Sequence, residues 1–152
     1  MKTIDIDRAR LTNRMQAAFG VVKYQFSAKS ELTAVPGIGF DLSDCSNFTR
    51  WLIFQASLGK TTFPQGSVEQ HQRCQEDGFA ADEYHLCAPL GDNKLRIAFI
   101  PVTPNHCGHV WLVLNGQTIE CCGGKGACRR PWNAAPLITE VTACYTLTSP
   151  LV

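Results

Sequence analysis

An α+β fold is predicted from three features of the chain. Helical periodicity fills the first half, alternating strands fill the second, and the densest local signal is a hairpin from His109 to Cys122 folded about Asn115-Gly116. Helices followed by strands, rather than a repeating strand–helix unit, belong to an α+β architecture. A length of 152 residues suits one domain, 1–152, with an N-terminal helix over residues 1–20.

Composition narrows the function. Hydrophobic residues at 45% and charged residues at 18% describe an ordinary globular protein. A net charge of +1 supplies no electrostatic attraction for nucleic acid or an anionic membrane. No apolar run reaches the roughly 18 residues of a membrane helix. Met1 to Asp7 alternates Ile with Asp and lacks the apolar block of a secretory leader. The expectation is synthesis in the cytoplasm with no cleaved signal peptide. Eight cysteines are many for a cytosolic domain; an oxidising destination would pair some of them, and a reducing one would leave thiols.

In chain order, Asp5 to Phe19 is amphipathic, with Leu11, Met15, Ala18 and Phe19 on one side, Asp5 or Asp7 as cap and Gly20 as stop. Val21 to Phe26 is a short strand or extended lead-in, and Ser27 to Ser43 reads as a loop. Asp44-Cys45-Ser46 then opens a helix whose following residues, Phe48, Trp51, Leu52, Ile53, Phe54, Ala56 and Leu58, are apolar on most faces, so it is expected to be buried. A thiol in the first turn of a helix faces unpaired N–H groups and the positive end of the dipole, which favour the thiolate. Ser67 and Gln70 predict a capping box for a polar helix to about Glu76. His71 and Cys74 on that helix lack further ligands for a metal, and Tyr84 to Asp92 reads as irregular. Leu95 to Ile100 is a strand, and Glu140 to Leu147 a last one.

A nucleophile needs a base. Of His71, His85, His106 and His109, only His109 falls on a regular strand. With a two-residue turn at Asn115-Gly116, Leu114 pairs with Gln117, Trp111 with Glu120 and His109 with Cys122. Glu120 then shares the histidine's face and Cys121 points away; a one-residue bulge would exchange them. A carboxylate beside an imidazole fixes its tautomer and orientation.

These motifs resemble the NlpC/P60 branch of the papain-like cysteine peptidases. Asp44-Cys45-Ser46-Asn47-Phe48 is similar to that family's Asp-Cys-Ser-Gly-Phe, and Gly108-His109-Val110 to its Gly- or Ser-His-Val strand. Thr118-Ile119-Glu120 falls where a third polar residue lies, and Tyr24-Gln25-Phe26-Ser27 resembles a Tyr-x-x-Gly motif. The likeness spans about Tyr24 to Trp132. Asn47 and Ser27 replace glycines, Tyr24 lies further ahead of the cysteine than is usual, and Glu120 stands one position early, where the family more often has His, Asn or Gln.

The resemblance implies a papain-like fold, with the cysteine helix buried on an antiparallel sheet, and a hydrolase of peptidoglycan stem peptides, cutting between D-glutamate and a diamino acid without metal or cofactor. Cys45 would attack, His109 would carry the proton and Glu120 would orient it. Tyr24 and the Cys45 N–H would hold the oxyanion, with Asp44 and Ser46 beside the substrate. It also implies a monomer acting in the periplasm or cell wall after non-classical delivery, as a bacterial effector or phage lysin, with an immunity or delivery protein as a further partner. Two alternatives are an acyltransferase on the same fold and a non-catalytic domain built on zinc held by His106, Cys107, His109, Cys121, Cys122 and Cys128.

Overall fold

The computed structural model describes residues 2–152; Met1, the first residue of the stretch read for a leader, lies outside the described residues. A first helix, α1 (Arg8–Ala18), is capped by the Asp7 side chain and buries Leu11, Met15 and Ala18. The segment read as a loop holds short parallel pairs: β1 (Lys23–Tyr24) with β4 (Leu42–Ser43), and β2 (Val35–Pro36) with β3 (Gly39–Phe40). Strand β4 delivers the chain to α2 (Cys45–Ala56). Then come α3 (Ser67–Glu76), β5 (Ala80–Ala81), α4 (Tyr84–Cys87), β6 (Arg96–Ile100), β7 (His109–Leu114), β8 (Gln117–Cys122), β9 (Gly126–Cys128), α5 (Leu137–Glu140) and β10 (Ala143–Thr146).

Six strands form one antiparallel sheet in the order β5-β10-β6-β7-β8-β9. One face buries Ile97, Phe99, Val110, Leu112, Ile119 and Cys121 with α1 and α2; the other buries Ala98, Trp111, Val113 and Cys144 with Tyr84, Cys87 and Leu137. Coverage on both faces explains why β6 has no polar alternation: all five of its residues are buried. Helix α2 lies on β7 and β8. Phe48, Trp51, Leu52 and Ile53 are each fully buried, as an all-round apolar helix requires.

Asn115 and Gly116 both have positive φ, as a type I′ turn demands, and Leu114 pairs with Gln117 in the predicted register. Three local readings are corrected. Ser67 is no cap: Gly66 occupies that position and no side chain caps α3, because Gln70 is drawn away to the carbonyls of Ser46 and Pro64, 2.9 Å from each. Tyr84 to Cys87 is a short helix rather than irregular, seated by the Tyr84 hydroxyl on the Trp132 carbonyl at 2.6 Å. Glu140 belongs to α5, so the last strand begins at Ala143.

Candidate active site

Cys45 is the first residue of α2. Asp44 accepts the Asn47 N–H at 2.8 Å and the Ser46 hydroxyl at 3.1 Å on one oxygen, and Lys29 on the other. Its carboxylate is therefore engaged as an N-cap, which starts the helix at Cys45. Asn47 is fully buried. Its amide donates to the Ser30 and Ser43 hydroxyls at 3.1 and 3.0 Å and accepts the Ser30 N–H at 3.1 Å. A glycine at this position would leave that loop untied. Ser46 is held through its carbonyl by Gln70, so α3 braces the same turn.

His109 enters from Gly108, where φ is +80° and a Cβ would stand 2.8 Å from the Ile100 carbonyl oxygen. The imidazole stacks on Trp111, with centroids 5.4 Å apart, and its Nε2 lies 2.8 Å from Glu120 Oε1. Glu120 also receives Arg130 Nη2 at 2.8 Å and Nε at 2.9 Å, and the Thr118 hydroxyl. Cys121, the next residue and on the opposite face, donates instead to the Ser43 carbonyl at 3.4 Å.

Electrostatics follow from this packing. Burial pushes the Glu120 carboxyl up, but His109, Arg130 and Thr118 outweigh it and hold the group at about 2. Burial likewise pulls His109 down, and contact with Cys45 and then Glu120 overcomes this, leaving the imidazole at about 9. Glu120 is thus an acceptor only, so Nε2 carries its proton toward Glu120 and Nδ1 is left for the cysteine side.

Tyr24 sits on β1 opposite Ser43, two residues before Cys45. Burial, followed by the Cys45 sulfur, raises its hydroxyl to about 12, so it stays a donor. Two cavities meet at Tyr24 and Gly108. One, of about 340 Å³, is lined by His106, His109, Cys122, Lys125 and Arg130; the other, of about 330 Å³, by Lys29, Asp44, Cys45, Ser46 and Cys107. A ligand chain crossing from one to the other passes the cysteine and the histidine.

Of the other histidines, His106 lines the first cavity and the other two lie elsewhere. His71 stacks on Phe99 and meets the Tyr145 hydroxyl at 3.0 Å, and His85 approaches the Ile138 carbonyl at 2.7 Å. Among the described residues no three His, Cys, Asp or Glu side chains converge as a metal set, so the six residues of the zinc reading are not gathered into one. Arg130 is the residue of the candidate site that the sequence did not mark. It meets Glu120 because β9 folds back at Gly126, where a Cβ would strike the Val22 carbonyl, and runs on to pair Arg130 with Thr118.

No family model matches the sequence, and no curated protein sequence does. Solved structures do match. A lipoprotein-like NLP/P60 family protein of Staphylococcus aureus superposes with a TM-score of 0.59 at 14% identity, over 99% of this chain and 44% of its own. An NlpC/P60 family protein of Bacillus cereus gives 0.61 at 23% identity, over 98% and 42%. The peptidoglycan hydrolase RipB of Mycobacterium tuberculosis gives 0.56 at 18%, over 93% and 64%. The chain thus spans less than half the length of the first two. At these identities the likeness is one of architecture, and the architecture of this α+β chain is the NlpC/P60 fold.

Proposed function

We propose that this chain is a cysteine amidase that hydrolyses an amide bond in peptidoglycan stem peptides, between D-glutamate and the diamino acid that follows, with residues 1–152 acting as one catalytic unit. The observation that carries the reading is His109 held at 2.8 Å by a buried Glu120 while its other nitrogen is left to the Cys45 side, at the junction of two cavities. The NlpC/P60 fold supports the substrate class, since one neighbour with it is a peptidoglycan hydrolase.

On this reading the Cys45 sulfur attacks the carbonyl with its proton on His109. The Tyr24 hydroxyl and the Cys45 N–H at the start of α2 receive the negative oxygen. His109, charged below about 9, then gives the proton to the departing amine. Water attacks the thioester through the neutral imidazole, and the acid leaves. Glu120 and Arg130 do no bond chemistry; they keep the imidazole upright and its tautomer fixed. The substrate lies in the periplasm or cell wall, so the chain acts there after delivery.

Incubation of purified muropeptides with wild type, Cys45→Ala and His109→Ala tests the reading. Cleavage by wild type alone is expected, with both variants retaining the circular dichroism of the native fold; full activity in either variant contradicts it. An added amine nucleophile distinguishes hydrolysis from acyl transfer, because a transferase yields the amide adduct as its main product.

A further inference from the structure

Two of the cysteines lie side by side on the wall of the site. Cys122 ends β8 and Cys128 ends β9, and the register pairs Cys122 with Gly126 and Glu120 with Cys128. Cys122 and Cys128 therefore have the same parity and project from the same face of adjacent strands, the face that carries Glu120. Their sulfurs are 3.7 Å apart, and both residues are half-buried. Closing to a bond of about 2.05 Å asks the sulfurs to approach by roughly 1.7 Å, within reach of side-chain rotation. Cys122 also lines the cavity beside His109, whereas the other close pair, Cys87 and Cys144 at 3.9 Å, is buried away from solvent.

We propose that Cys122 and Cys128 are an attacking and resolving dithiol, a modification site for small disulfides such as oxidised glutathione that ends as an internal disulfide. The Cys122 sulfur attacks one sulfur of the reagent, forming a mixed disulfide and expelling one thiolate. Cys128 then attacks the Cys122 sulfur and expels the second. Both dithiol protons pass to the released thiolates, so one reagent disulfide is reduced for each internal disulfide made. The contact from Cys128 also draws the Cys122 thiol down to about 7, which suits it to attack first. The consequence is local: an adduct the size of glutathione on Cys122 would fill the cavity next to His109, and Cys128 removes it. The closed pair also ties β9, and hence the run into Arg130, to the strand carrying Glu120.

The test uses the folded full chain and oxidised glutathione, followed by trypsin and tandem mass spectrometry without reduction. Cleavage after Lys125 and Arg129 separates the two thiols, so an internal bond joins peptide Gly126–Arg129 to the peptide ending at Lys125. The exposed Cys107 reports that the reagent has acted. Wild type is expected to give the joined peptide with its link at Cys122, and Cys128→Ser a glutathione adduct on Cys122 instead. A lasting adduct on Cys122 in wild type, a link from Cys122 to Cys45 or Cys107, or free Cys122 and Cys128 once Cys107 has reacted would each overturn the proposal. The readout is chemical, so it stands apart from whether the chain cuts peptidoglycan.

Discussion

Where α2 begins, Cys45 is held by the Asp44 cap, whose carboxylate also meets Lys29, and by neutral hydrogen bonds among Asn47, Ser30 and Ser43; across the site at the start of β7, His109 is held by a chain of charges, Glu120 on β8 and Arg130, with Glu120 wholly buried. The first arrangement is made of many modest bonds, and its one ion pair ends on a partly exposed lysine that water can solvate. The second is a buried ion network, in which removing one partner strands the other. The nucleophile's seat should therefore degrade gradually under mutation and the base's seat abruptly.

That contrast orders the expected effects. Cys45→Ala removes the reacting atom and should lower turnover by about 10⁴-fold or more with the melting temperature little changed. Glu120→Gln leaves Arg130 without its charge partner, at about 3–5 kcal/mol, so melting should fall by roughly 10 °C and activity with it. Tyr24→Phe should slow turnover about a hundredfold at unchanged stability, the loss of one oxyanion donor worth about 3 kcal/mol. Asp44→Ala removes the cap and should cost only about 1 kcal/mol in denaturant unfolding. If Asp44→Ala proves as damaging as Glu120→Gln, the contrast between the two seats is wrong.

The pH dependence sharpens the same comparison. His109 lies above its ordinary 6.5, so its contribution to stability is complete below that value and is lost as pH rises through about 9. Glu120 lies below its ordinary 4.5, so its contribution is present above that value and is lost as pH falls toward about 2. The alkaline limb of kcat/KM should follow His109 near 9 and move to lower pH in Glu120→Gln, which removes a group that raises the imidazole.

What could be read from the residues alone was what local rules govern. Asn115-Gly116 dictates a two-residue turn, the turn dictates strand parity, and parity puts Glu120 rather than Cys121 on the histidine's side. The helix start at Cys45 follows from Asp44 in the same way. Arg130 was not legible, because nothing distinguishes it from Arg129 until the fold-back at Gly126 sets which residue faces Glu120. The capping box at Ser67 failed for a related reason: Gln70 answers to the Pro64 carbonyl in the loop before α3 and to the Ser46 carbonyl, a partner that exists only once α3 docks beside α2. The closeness of Cys122 to Cys128 likewise needed the β8–β9 register.

The most direct test of the central claim is mass spectrometry of purified peptidoglycan digested in heavy-oxygen water. The account predicts stem peptides cut after D-glutamate, with one heavy oxygen in the new carboxyl group, and no such products from Cys45→Ala. Intact stem peptides with wild type, or the same products from Cys45→Ala, would contradict it.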